Sequence, residues 1–457
     1  MIIFQEQKPY TKLNFSKKIG ENGEDHERLI CELENKKILK RIEGNRIVFS
    51  YVGIVLIQQI SIFILPKYVS CNTTTSKITT IKDIIRLFKK IKENLMYHNL
   101  YDINLTKNDL EENIISLICY ILDDYIENGI YKNEIDCLEI NGNGDINWPM
   151  TLDSTQPLVM QEQWVYVDLV TNKNEINSKQ FVTLLHTKII EDCKELIENT
   201  GLNIILDYDI KVSGDRLESL HDREKIQLEV EKELQIQFND RKRRVLKAIQ
   251  LYLEQKSCLD GIRAITYGTN NFKWIWEVIC SKVFDNEFIS KKGISKYELF
   301  GIRPPSWCIH NSFLHLEEKN EIEVKRNRLT PDILKVYERE SKKYLLILDA
   351  KYYTLRIKGE KIEGNPGIED ITKQYLYHTS LKKYIEENNI EIIINAFLLP
   401  NDIATGKIGK VTLDFMQQYS DVDIDLIVLD MKEVINLYCY NKTYDFSRFI
   451  DMISETN

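Results

Sequence analysis

At 457 residues the chain is long for one hydrophobic core, so two or three domains are expected. Its 43% hydrophobic and 29% charged residues suit a globular protein in water, and 18 Gly with 9 Pro exclude collagen-like or Pro/Gly-rich disordered chains. A net charge of −9 argues against an unspecific coat for nucleic acid. The nine cysteines, an odd number without C-x-x-C spacing, indicate neither a disulfide framework nor a zinc ribbon. The longest apolar stretch, Val52 to Leu65, is broken by Gln58, Gln59 and Ser61 and falls short of the roughly 20 residues that span a bilayer. The opening MIIFQEQKPY lacks the order of a signal peptide, so a reduced, cytoplasmic protein with no membrane segment is expected.

In chain order, Arg46 to Ile57 and Ser61 to Lys67 are β-branched and aromatic, which predicts a hairpin turning at Gln58-Gln59. Apolar spacing predicts helices over 81–96 and 109–127, the second capped by Thr106 or Asn108. The loop Asn141-Gly-Asn-Gly144 and the segment Ile146 to Leu152 break the pattern and mark a first boundary. Helical spacing resumes over 177–199. Between Asp215 and Asp260 there is no Gly or Pro, predicting one or two long helices that end with Arg241-Lys242-Arg243-Arg244. A helix over 271–283 and a loop with Pro304-Pro305 precede strand-like runs at 333–337, 344–348, 390–398 and 424–429, with a helix at 367–386 among them. The expected architecture is α+β and multidomain. It has a β-containing and helical module (1–144), a mainly helical middle (145–265) and an α/β domain with a mixed central sheet (266–457).

The chemistry concentrates in the last segment. Residues 349 and 351 of an extended strand point to the same face, so Asp349 and Lys351 project together at the end of the apolar run Tyr344 to Leu348. Asp332, after Pro331 at the start of a neighbouring strand, can add a second carboxylate. Two carboxylates and a carbonyl form a hard-oxygen site suited to Mg²⁺, which keeps several waters. Such an ion lowers the pKa of its water and offsets transition-state charge, while a lysine orients the attacking water. Each piece also has a plainer reading: Asp332 as a turn residue, Asp349 with Lys351 as a surface ion pair, Glu277 as a solvated helix residue, and Gln374 as an idle helix position. Between Lys325 and Lys358 ten Lys/Arg oppose four acids, a local +6 that reads as a phosphate-facing surface or as a solvated face. His310 and His315 near Cys308 lack a further ligand at zinc spacing.

The ordered set Glu277, Pro331-Asp332, Asp349-Ala350-Lys351 and Lys373-Gln374 resembles the PD-(D/E)XK nuclease family over roughly 270–440. The resemblance implies a restriction-endonuclease-like fold with Asp332, Asp349 and Glu277 on Mg²⁺ (Mn²⁺ substituting). It also implies Lys351 at the attacking water, with Lys373 and Gln374 on DNA. Tyr51-Val-Gly-Ile-Val55, Ile62 to Lys67, Ile146-Asn-Trp-Pro-Met-Thr151 and Leu348-Asp-Ala-Lys-Tyr-Tyr353 look like McrC-type nuclease subunits and their LlaJI-type relatives, although Tyr51 and Trp148 can also be plain core aromatics. That likeness implies cleavage of foreign double-stranded DNA in a restriction system, one of the methyltransferase-associated kind included, driven by a separate McrB-like AAA+ NTPase.

No G-x-x-x-x-G-K-[ST] occurs, so this chain is expected to bind no nucleotide itself. The absence of H-E-x-x-H and G-x-S-x-G removes the usual handles for a metalloprotease or serine hydrolase. Arg241, Lys242, Arg243 and Arg244 are expected to meet phosphate. Two alternatives stay open: a catalytically silent assembly subunit, and a transposon-end- or RNA-processing nuclease.

Overall fold

The apolar runs in the last part of the chain form one mixed sheet in the computed structural model, which describes residues 2–20, 23–57, 60–71, 73–97, 114–160, 163–176, 180–212, 215, 217–218, 223–256, 264–303, 306–308, 321–323, 328–358, 361–416 and 423–454. The hairpin Ile333–Arg339 and Lys342–Ala350 is antiparallel, and its two turn residues, Glu340 and Ser341, both have positive φ (52° and 65°). Two consecutive left-handed residues give the turn whose twist matches that of the flanking strands. Lys342–Ala350 pairs in parallel with Ile392–Asn401, which requires a crossover; helices Ile368–Ser380 and Lys382–Glu387 supply it. Ile392–Asn401 pairs in parallel with Ile424–Asp430, and Gly406–Val411 closes the far edge antiparallel. The inner strands are buried on both faces, which is why they read as unbroken apolar runs. Leu345 and Ile347 pack with Phe288, Phe300, Leu334 and Leu381, whereas Phe397 packs with Ile371, Tyr375 and Ile424.

By contacts the chain divides into two compact units. The first holds 1–54, 62–111 and 268–457; the second holds 55–61 and 112–267. The chain passes from the second unit back to the first between 267 and 268, and residues 144 and 145 both belong to the second. Long-range pairing causes the interleaving. Ile2–Gln5 lies parallel to Ile60–Leu65 in a four-stranded sheet that also contains Val52–Ile57 and Ile265–Thr269. Gly268 is required there, because a Cβ would meet the Val52 carbonyl oxygen at 2.1 Å. Within the first unit the Ser70 N–H and hydroxyl both donate to Asp402, at 2.6 Å each, and helix Thr74–Tyr97 packs on Met431–Cys439.

The expected single strand over 46–57 is in fact two. Arg46–Phe49 joins a three-stranded sheet with Pro9–Thr11 and Leu39–Ile42, a ladder that the Ser50 N–H extends by donating to the Ile38 carbonyl, and Val52–Ile57 joins the four-stranded one.

The second unit contains helices Ile114–Asn128, Phe181–Asn199, Arg223–Ile236 and Asp240–Gln255. It also carries antiparallel strands Glu134–Ile140 and Val170–Ile176, helix Trp148–Ser154 and a small hairpin, Leu158–Met160 with Gln163–Val165. Asn141 to Gly144 is a tight loop in which a Cβ on Gly144 would stand 1.7 Å from the Asn172 carbonyl oxygen. Tyr51 is buried, but Trp148 is exposed, so the two aromatics differ in role. Among the described residues no helix is long and apolar enough to cross a membrane. Thr106, Asn108, Pro304, Pro305, His310, His315, Lys325 and Arg326 lie outside the described residues.

Candidate active site

The hairpin register builds the site. Ile333 faces Leu348, and continuing that ladder by one residue sets Asp332 opposite Asp349. The Ala350 N–H donates to Asp332 Oδ2 at 3.0 Å, which anchors the first carboxyl to the neighbouring strand. On the other flank the Lys351 N–H donates to the Leu398 carbonyl at 2.9 Å, and the fully buried Trp276 indole donates to that same oxygen at 3.0 Å. Helix Phe272–Val283 is thereby fixed at the strand end, with Glu277 following Trp276.

Asp349 is 4% exposed, and its Oδ2 lies 2.7 Å from Lys351 Nζ. Burial pushes the Asp332 carboxyl well above the usual range, and the Asp349 charge and a hydrogen bond between the two carboxyls push it further. Burial and the neighbouring charge thus oppose ionising both carboxyls at once. Burial opposes the charge on Lys351, but Asp349, Asp332 and Asp370 outweigh it and raise its pKa, so the side chain is an ammonium donor. Glu277 is raised by burial against the pull of Lys273 and Lys351, with Asp349 adding to the rise. Its carboxylate stands 3.6 Å from Lys273 Nζ.

Two residues of this cluster escaped the sequence reading. Asp370, in the first turn of Ile368–Ser380, places Oδ1 3.1 Å from Lys351 Nζ, and Tyr353 donates its hydroxyl to Asp370 Oδ2 at 2.6 Å. The available signals were weak: an acidic pair, Glu369-Asp370, opening a helix, and a tyrosine two residues beyond the lysine.

Among the described residues no group of three or more His, Cys, Asp or Glu side chains stands ready to hold a metal ion. The donor set at hand is Asp332 and Asp349. Two neighbouring carboxyl groups suit a hard divalent cation that brings its own waters, such as Mg²⁺, and do not suit a closed structural zinc site.

The other predicted contacts divide. Lys373 is exposed on the helix beside Asp370, whose carboxyl its charge helps to lower. Gln374 corrects the expectation of a DNA-facing side chain. It is 0% exposed and donates from Nε2 to the Ile347 and Ala396 carbonyls, at 3.1 and 3.2 Å, pinning the helix across two strands. The basic run 241–244 opens helix Asp240–Gln255 instead of ending one, with Asn239 as N-cap accepting from the Lys242 N–H. Arg241 grips Asp124, Lys242 donates to Asn133, Arg243 donates to the Leu234 and Gln237 carbonyls, and Arg244 donates from Nε to the Asp240 carbonyl at 3.4 Å, so all four side chains have partners within the second unit. Part of the basic island also has partners within the first unit. Lys335 reaches Asp285 and Glu287, both at 2.7 Å, Arg339 reaches Asp451 at 2.6 Å, and Arg328 lies over the Tyr297 ring.

A mixed α/β sheet with paired carboxylates and a lysine at one strand end defines a candidate hydrolytic centre. The family described as LlaJI restriction endonuclease matches residues 51–439, and the chain belongs to that family. It is 30% identical over 470 residues to the Type II restriction enzyme BsuMI component YdjA of Bacillus subtilis (strain 168), with 100% of this chain and 92% of that protein covered. Among solved structures, a chain of the refined half-complex from the tetradecameric assembly of Thermococcus gammatolerans McrB AAA+ hexamers with bound McrC is similar with a TM-score of 0.40 and 14% identity, over 96% of this chain and 98% of that one. A chain of the Thermococcus gammatolerans McrBC complex is similar with a TM-score of 0.29 and 13% identity, over 64% and 88%.

Proposed function

We propose that the chain is the DNA-cleaving subunit of a restriction system, a PD-(D/E)XK nuclease that hydrolyses phosphodiester bonds of double-stranded DNA with Mg²⁺, or Mn²⁺ in its place. The observation that carries this reading is the convergence of Asp332, Asp349 and Lys351 at one buried strand end. When bound by Asp332 and Asp349, the ion supplies positive charge against the phosphate and acidifies water. Lys351 donates from its ammonium to the attacking water or to a phosphate oxygen. The water gives up a proton to solvent as its oxygen bonds to phosphorus, the bond to the leaving sugar oxygen breaks, and that oxygen takes a proton from solvent. Glu277 adds a further acid beside the pair, and the exposed Lys373 meets the DNA backbone.

A separate McrB-like AAA+ NTPase drives the reaction in this reading. Three observations support a partner: the sequence has no phosphate-cradling G-x-x-x-x-G-K-[ST] loop, a relative is named as a component of an enzyme, and the second unit exposes an apolar surface.

The test is cleavage of a plasmid by wild type and Asp349→Ala, each with and without the neighbouring NTPase and its nucleotide. Wild type cleaves, and the variant loses on the order of a hundredfold or more together with its Mn²⁺ binding. Equal cleavage by both sinks the site assignment. Because Asp332 must give up its proton to a cation, Mn²⁺ affinity should also fall as the pH is lowered.

A further inference from the structure

Lys351 has two carboxylate partners of different kinds. Asp349 shares its strand and belongs to the candidate cation site, whereas Asp370 comes from the helix that follows. The two Asp370 oxygens are divided between two donors: Oδ1 faces Lys351 Nζ at 3.1 Å, and Oδ2 accepts the Tyr353 hydroxyl at 2.6 Å. Asp370 also lies in the first helical turn, after Gly367, which offers the helix no side-chain cap, so the free N–H groups favour an anion there. Burial raises the Asp370 carboxyl, but Tyr353, Lys351 and Lys373 together bring it below the usual range.

A divalent cation taken up by Asp349 competes with the ammonium 2.7 Å from the same carboxylate, because two positive charges at one oxygen repel. The lysine then keeps Asp370 as its carboxylate partner. We propose that Asp370, braced by Tyr353, is the positioning residue that holds Lys351 at the reacting phosphate once the cation has claimed Asp349. This rests on reading Asp332, Asp349 and Lys351 as the cleavage site. It makes the Asp349–Lys351 contact a metal-free arrangement and the Asp370–Lys351 contact the lasting one. Tyr353 orients the carboxylate and touches no reacting atom.

The test has a readout that needs no cleavage. The full-length chain, without DNA or NTPase, is treated with an amine-acetylating reagent with and without saturating Mn²⁺, and modification of Lys351 is followed by mass spectrometry, with the exposed Lys342 as reference. With Mn²⁺ bound, Asp370→Asn releases the clamp, and Lys351 is acetylated several-fold faster than in wild type, whereas without Mn²⁺ Asp349 still holds it and the difference is smaller; Tyr353→Phe moves in the same direction by less. In the cleavage assay, with the NTPase present, Asp370→Asn lowers kcat about 10- to 100-fold while KM for DNA and Mn²⁺ affinity stay within about twofold, and Asp370→Glu restores part of the loss. Unchanged acetylation of Lys351 in both variants with Mn²⁺ bound overturns the proposal. So does a raised KM with kcat intact, which makes Asp370 a DNA contact, or a loss of Mn²⁺ binding like that of Asp349→Ala, which makes it a metal ligand. Full cleavage and Mn²⁺ binding by Asp349→Ala sinks the site reading itself, an outcome separate from the acetylation result.

Discussion

Arg241 holds Asp124 by two near-parallel hydrogen bonds, Nε to Oδ1 at 2.9 Å and Nη2 to Oδ2 at 2.7 Å, and the acid is buried. The bidentate geometry makes Arg241 a fastener between helices Asp240–Gln255 and Ile114–Asn128. Arg241→Ala leaves a buried carboxylate without its partner and should cost about 2–3 kcal/mol in urea unfolding. The slope of log K against log salt for DNA should not move, since a spent cation releases no counterions. A flattened slope with unchanged stability would return Arg241 to the DNA interface. A run of four basic residues looks alike in sequence whether its charges face phosphate or partners more than a hundred positions away. Asp332, Asp349 and Lys351 were legible for the opposite reason, because strand alternation and a short hairpin fix their geometry locally. Asp370 and Tyr353 were not, since a helix start and a loop carry no such periodicity.

Helix Phe181–Asn199 reads as amphipathic, yet its buried face includes His186. Its Nδ1 accepts the Tyr131 N–H at 2.9 Å, and burial lowers its pKa from 6.5 to about 4, the Arg241 charge adding to the fall and Asp124 opposing it. The unfolded chain binds this proton more readily than the folded one. The contribution to stability is therefore full above the unfolded value and is lost as pH falls toward the folded one. Between about pH 7.5 and about pH 5 the second unit should lose about 2 kcal/mol through this residue. His186→Gln keeps an acceptor for Tyr131 and should flatten that dependence when urea midpoints are compared at the two pH values; an equally steep loss would assign it to other groups. At this scale the sheet over 333–430 was readable because buried strands leave unbroken apolar runs. The division of 46–57 into two strands was not, because it depends on which distant strands each half pairs with, and periodicity does not report pairing.

Over the whole chain, strand pairing between residues near the N-terminus and residues 60–65, and a first unit that resumes at Gly268, interleave the two units in a way that no composition shift marks. The exposed apolar surface of the second unit was equally hidden, since Trp148 and Trp164 look like core residues in a sequence. Val159 and Trp164 are cross-strand partners on the small hairpin, 66% and 71% exposed, and Met160, Leu158 and Ile140 are exposed in the same unit. Large apolar surface left in water is unfavourable for an isolated chain and marks an interaction face. An aromatic side chain brings 150–250 Å² or so to an interface, and a central one can carry a few kcal/mol of binding. Replacing both Val159 and Trp164 by Ser removes that area from a hairpin with no buried side chains to lose, so the urea midpoint and the Mn²⁺ affinity should stay as in wild type. Affinity for the NTPase proposed above as the partner should fall about a hundredfold or more, measured by titrating the labelled chain with that NTPase in its nucleotide-bound state. NTPase-dependent cleavage should fall with it at limiting partner and recover at high partner concentration. Unchanged affinity in the double variant would remove this hairpin from the interface and leave its exposed tryptophan without a role in assembly.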